Sequence, residues 1–144
     1  MAGPGALVTS MLESWTTTCR DSSSLAPYFA DSAVYQPAPG LAPLAGRDAI
    51  LGFTGRLLAI FDSIEIETLH QSVSGDVVMN ERRDVLRRRG HKIEVPAMGI
   101  FEVQNDLITT WRDYSDMNAV LGGLSFGATG SERPRQRRWA RLRG

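Results

Sequence analysis

Only one cysteine, Cys19, occurs in the 144 residues, which excludes an internal disulfide and any cysteine-based metal cluster within one chain. Its expected role is that of a small apolar residue in the first helix. Histidine is almost as scarce, with His70 and His91 alone. No two of His, Cys, Asp or Glu fall at a metal-ligand spacing, so both histidines read as satisfied or solvated side chains. No stretch approaches the ~18–20 apolar residues of a membrane span, and no charged start followed by an apolar run marks a secretory leader. The chain is therefore expected to be soluble and cytoplasmic. No internal repeat is visible.

Net charge is also lacking, since 16 basic residues balance 16 acidic ones. The balance is uneven. Six arginines fall within the terminal stretch "SERPRQRRWARLRG", opposed only by Glu132, so residues 1–130 hold ten basic and fifteen acidic residues, a net of −5. An arginine cluster without aromatic stacking platforms or a basic body is weak ground for a nucleic-acid or membrane arm. Residues 131–144 are accordingly expected to be a disordered, solvated tail on a single domain spanning residues 1–130. With 42% hydrophobic residues, that domain can build a real core.

Helical spacing comes first along the chain. "ALVTSMLESWTTTCRD" repeats Leu7, Met11, Leu12 and Trp15 at helical intervals, and "SSSLAPYFAD" reads as a short second helix. Pro37, Pro39 and Pro43 then confine "AVYQPAPGLAPLAG" to a short strand and a loop. "RDAILGFTGRLLAIFDS" resumes the helical period through Ile50, Phe53, Leu57, Leu58 and Phe61. From Ile64 onward four strand-like runs, "SIEIETLHQSV", "VVMNERRDVLRRR", "KIEVPAMGIFEV" and "LITTWRDY", are separated by "SGD", "GH" and "QND". Links this short predict an antiparallel meander. Helices followed by a sheet predict an α+β domain, with a curved antiparallel sheet packed against N-terminal helices around an apolar pocket.

Alternation along each strand assigns faces. Ile93, Val95, Ala97, Gly99, Phe101 and Val103 make an almost wholly apolar row, which must be the buried one. The matching rows are Val78, Asn80, Arg82, Asp84 and Leu86 on one neighbour, and Thr109, Trp111, Asp113 and Ser115 on the other. Two carboxylates, Asp84 and Asp113, then share an apolar pocket with Arg82. A guanidinium can bond both, while an apolar surround raises the pKa of whichever it stabilises less, giving one acid and one base near neutral pH. A buried ion-pair network without chemistry is the commoner meaning of such a pattern, and spacing does not separate the two.

The segments "VYQPAP", "NERRDVL", "AMGIFEV" and "ITTWRDYSDM", in this order after two helices, resemble the limonene-1,2-epoxide hydrolase family, small cone-shaped α+β proteins of the NTF2-like and SnoaL-like superfamily. The resemblance runs from about Tyr28 to Met117. It implies that Asp84 is the acid, Arg82 the bridging arginine, Asp113 the base and Tyr35 the tyrosine that holds the attacking water. Family members typically have an asparagine two residues after that tyrosine. Here the position is Pro37, with no donor and no side-chain acceptor.

The implied reaction is one-step opening of a small apolar epoxide, terpenoid or polyketide-like, with no metal or organic cofactor. Trp111, Leu86, Val95, Ala97, Phe101 and Asn80 would form the substrate pocket. A homodimer joined through the outer sheet face is implied as well. Three readings follow: a hydrolase giving a diol, a cyclase in which the substrate's own hydroxyl replaces water, and a non-catalytic small-molecule binding module.

Overall fold

The computed structural model describes residues 3–17 and 21–125. Cys19 and the basic tail from residue 131 lie outside them. Among the described residues no helix is long and apolar enough to cross a membrane.

Helix α1 (Pro4–Thr17) buries Val8, Met11, Leu12 and Trp15, the 3–4 residue spacing of one helical stripe. The predicted second helix is instead a seven-residue 3-10 helix, Ser22–Tyr28, started by the Asp21 side chain accepting from the Ser23 N–H at 2.9 Å. Pro27 removes a backbone donor near its end, and strand β1 (Phe29–Gln36) begins at once. A two-residue strand β2 (Leu44–Ala45) leads into helix α2 (Arg47–Ile60). The meander follows as β3 (Ser63–Ser74), β4 (Val77–Arg88), β5 (His91–Gln104) and β6 (Leu107–Ser115), and helix α3 (Met117–Ser125), which the sequence pattern did not suggest, follows β6.

The sheet order is β2-β1-β6-β5-β4-β3. The meander is antiparallel as expected, but β1 pairs parallel to β6. The sheet is therefore mixed, because the chain returns through α2 and three strands before β6 slots between β1 and β5. The turns Arg89-Gly90 and Asn105-Asp106 have positive φ at both residues, as the tight hairpins that match strand twist require.

The apolar row of β5 is buried in full, from Ile93 to Val103. On β6 the expected face needs one correction. A bulge between Glu102 and Val103 shifts the register so that Val103 faces Ile108 and Glu102 faces Thr110. Thr109 is the extra residue, its hydroxyl donating to the Glu102 carbonyl at 3.1 Å, and Ile108 is buried in its place. Trp111 and Asp113 keep the inner face. Helices α1 and α2, with their Trp15, Ile50 and Leu58, close over that face and complete the core.

Candidate active site

Strand alternation and register bring four polar side chains to one place. Arg82 and Asp84 stand two residues apart on the inner face of β4. Asp113 on β6 is opposite Gly99 of the intervening β5, and Tyr35 on β1 is opposite Trp111. The Tyr35 and Trp111 rings stack at 4.0 Å between centroids, and Phe101 stacks on Trp111 at 5.2 Å. This aromatic packing fixes the indole, whose Nε1–H donates to Asp113 Oδ1 at 2.6 Å.

The Arg82 side chain is 1% exposed, so its charge must be matched by partners. Nε and Nη2 donate to Asp84 Oδ1 and Oδ2 at 3.3 and 3.2 Å. Nη1 and Nη2 donate to Asp113 Oδ1 and Oδ2 at 2.9 and 3.0 Å. The remaining Nη1 hydrogen reaches Asn80 Oδ1 at 3.3 Å. A guanidinium has five N–H donors, and all are engaged. None is left for a substrate, which makes Arg82 a holder of two carboxylates rather than a ligand clamp.

Asp113 is saturated in the same sense. A carboxylate has about four acceptor sites. Oδ1 takes Arg82 and Trp111, while Oδ2 takes Arg82 and, at 3.2 Å, the Tyr35 hydroxyl. Burial pushes the Asp113 carboxyl above its usual pKa, opposed by the charge and hydrogen bonds of Arg82 and by Trp111. A buried carboxylate raised in this way is a stronger base than a solvated one. Burial, with the nearby Asp113 charge, also holds the Tyr35 phenol well above its ordinary value, so it remains a neutral hydroxyl. For Arg82 burial acts to lower the pKa, but Asp113 and Asp84 outweigh it and the guanidinium stays charged.

Asp84 differs from Asp113 in its access to water, with 19% of its side chain exposed against 6%. Both face a cavity of about 200 Å³ with mostly apolar walls. Of the residues expected to form the pocket, Trp111, Leu86 and Val95 line it. Phe101, Ala97 and Asn80 are not among its lining residues. Phe101 sits behind Trp111, and Ala97 borders a separate groove. Asn80 is drawn away from the cavity because its amide supports Arg82 on one side and donates to Gln71 at 3.3 Å on the other. Gln71 continues the chain to the Gly5 carbonyl and Thr9 hydroxyl of α1.

Pro37 and Ser115 also line the cavity, and the Ser115 hydroxyl donates to the Pro37 carbonyl at 3.3 Å. Phe53, Ile64 and Ile66 add apolar wall, as do Met117 and Val120 of α3. Helical periodicity could have nominated Phe53; nothing in the strand pattern pointed to α3. Among the described residues no cluster of three or more His, Cys, Asp or Glu is placed to hold a metal.

The model of the limonene-1,2-epoxide hydrolase catalytic domain matches residues 12–125, a span that contains every residue of this site. The chain belongs to the limonene-1,2-epoxide hydrolase family. It is 33% identical over 63 residues to epoxide hydrolase EphG of Mycobacterium tuberculosis, a match covering 44% of this chain and 42% of that protein. Among solved structures, an LEH-like epoxide hydrolase of M. tuberculosis superimposes with a TM-score of 0.72 at 24% identity, covering 85% of this chain and 89% of the other. A SnoaL-like polyketide cyclase of Shewanella denitrificans gives a TM-score of 0.74 at 16% identity over 85% and 96%. At such identities the structural likeness concerns the fold, an α+β cone shared by proteins of different activity.

Proposed function

We propose that this protein opens a small, apolar epoxide in one step by general acid/base catalysis, most simply by adding water to give a diol. The single observation that carries the reading is the Arg82 bridge, which holds Asp84 and Asp113 at one apolar cavity with every guanidinium donor engaged. A merely structural ion pair would not need two carboxylates facing the same empty space.

The nucleophile enters between Tyr35 and Asp113 Oδ2. That contact, at 3.2 Å, is the longest of the four made by Asp113 and is the one that opens. Water then accepts from the Tyr35 hydroxyl and donates to Asp113. Its oxygen attacks an epoxide carbon as Asp113 takes the proton, the carbon–oxygen bond of the ring breaks, and Asp84 donates a proton to the departing oxygen. Asp113 ends protonated and Asp84 ionised, and solvent exchange restores both, more readily at the better exposed Asp84. A cavity of about 200 Å³ is below the ~300–1,000 Å³ usual for drug-sized ligands, which favours a compact terpenoid-sized substrate.

Pro37 favours a second reading. It lines the cavity two residues after Tyr35 and offers the attacking water no side-chain partner. A hydroxyl tethered to the epoxide arrives already positioned and needs less help. The second reading is therefore cyclisation, with the substrate's own hydroxyl replacing water and a cyclic ether as product. Turnover of a panel of small epoxides and hydroxy-epoxides in ¹⁸O-labelled water, read by product mass, tests both. Labelled diol supports hydrolysis, unlabelled cyclic ether supports cyclisation, and binding without turnover of any epoxide would leave a non-catalytic binding module.

The protein is further proposed to act as a homodimer through the outer sheet face, where Leu69, Met79, Met98 and Tyr114 are exposed and a groove of about 670 Å³ runs. Sedimentation of the wild type against Met98→Glu would test this.

A further inference from the structure

We infer that Gly99 is a positioning residue for the acid/base pair: the missing side chain on β5 is what allows Arg82 of β4 to reach Asp113 of β6. The inference rests on the proposed function for its meaning, but the geometry stands by itself. β5 lies between the two strands that carry the charges. Neighbouring strands are ~4.8 Å apart, so a side chain on β4 that pairs with one on β6 must span about two such spacings across the inner face of β5. Arg82 is in register with Ala97, whereas Asp113 is in register with Gly99. The guanidinium therefore crosses β5 diagonally, from beside Ala97 to a point above Gly99.

A Cβ placed on Gly99 would fall inside contact distance of Arg82 Nη1. It would also lie 2.9 Å from Asp113 Oδ1 and 3.0 Å from the Phe101 ring. The first two atoms are the partners of the 2.9 Å bond that anchors the bridge. One methyl group would stand where the guanidinium and carboxylate meet.

Backbone conformation gives no other reason for glycine here. Gly99 is in the middle of β5, and its φ is not in the left-handed region occupied by Gly40, Gly46, Gly75 and Gly90. Glycine in a strand interior weakens the strand and often marks close approach of another group. Every other inward residue of β5, from Ile93 to Val103, has a side chain. The gap coincides with the one place where a charged side chain passes over the strand.

The competing explanation is packing, in which Gly99 only makes room for the Phe101 ring. Gly99→Ala separates the two. With the guanidinium displaced, Asp113 loses the partner that counteracts its burial, so its carboxyl should titrate at higher pH. Carboxyl ¹³C NMR of Asp113 reads this directly and does not depend on which reaction the protein performs. In the epoxide assay the acid limb of kcat/KM should move the same way, and kcat should fall on the order of 10²-fold, as a displacement of about 1 Å can cause. An Asp113 titration identical to wild type in a folded Gly99→Ala protein would overturn the inference, whatever happens to turnover.

If Gly99→Ala does not fold, Arg82→Met and the double variant Arg82→Met/Gly99→Ala decide. Recovery of folding in the double variant places the clash at Arg82 and supports the inference. Failure of the double variant to fold while Arg82→Met folds places the clash elsewhere and rejects it.

Discussion

Replacing Arg82 by lysine keeps the charge but not the geometry, and the size of the effect can be worked from the bonds. Arg82 donates five hydrogen bonds, two each to Asp84 and Asp113 and one to Asn80. Lysine has three donors on one nitrogen and cannot present a planar fork. At least two of the five bonds are lost. A hydrogen bond to a charged group contributes ~1.5–3 kcal/mol when buried, so Arg82→Lys should destabilise the fold by roughly 3 kcal/mol or more. For a domain near this size each kcal/mol corresponds to about 2–4 °C, giving a Tm lower by on the order of 10 °C.

Turnover should fall independently, because Asp84 and Asp113 would no longer be held in one fixed relation. Differential scanning calorimetry and epoxide kinetics on Arg82→Lys measure both effects. A Tm and kcat both close to wild type would refute the view that the fork of hydrogen bonds, rather than charge alone, builds the site.

Asp113→Asn preserves shape and removes the proposed base, so kcat should fall by ~10²–10⁴-fold; near-normal turnover would show that Asp113 is not the base. The same variant tests the pKa shift through stability. Asp113 titrates above the ordinary aspartate value of 3.8 in the folded chain, so its contribution is fully present below that value and declines as pH rises through the folded pKa. Urea midpoints should therefore show the wild type losing stability relative to Asp113→Asn with rising pH, and a flat or rising difference would contradict the shift. Tyr35→Phe should lower kcat by about 10²-fold by leaving the nucleophile loosely held, with circular dichroism showing the fold unchanged; an unaffected rate would mean that Tyr35 only packs against Trp111. A chain ending near Gly130 should fold and turn over as the full chain does, and loss of either would assign the arginine-rich tail a role.

Much of this site could be read from residue order because strand alternation has a period of two. Once Ile93 to Val103 were identified as a buried row, the neighbouring rows with Arg82, Asp84 and Asp113 followed, and the family's motifs named Tyr35. What escaped depended on three-dimensional contact. Thr109 slipped off the inner face because a single bulge resets the alternation, and a bulge leaves no clear mark in composition. Asn80 belongs to the inner row as expected, but its amide oxygen accepts from Arg82 while its amide nitrogen donates to Gln71, which removes it from the cavity. "SSSLAPYFAD" has local helical character, yet pairing of β1 with β6 converts its last residues to strand. Helix α3 contains Gly122 and Gly123, which lowers its intrinsic propensity; its packing places Met117 and Val120 on the cavity wall. Gly99 was visible only as one member of an apolar row, since its meaning lies in two side chains, Arg82 and Asp113, that meet above it from the strands on either side.

In the proposed reaction the epoxide is opened directly by a nucleophile activated at Asp113, without a covalent bond to the protein. A single-turnover reaction in ¹⁸O-labelled water, with enzyme in excess over a compact apolar epoxide, distinguishes direct attack from a covalent intermediate. Direct attack by water places the label in the diol during the first turnover and leaves the Asp113 and Asp84 carboxyls unlabelled. A first-turnover diol without label, accompanied by ¹⁸O in either carboxyl on peptide mass analysis, would show that a carboxylate attacked the ring and would rule out direct attack.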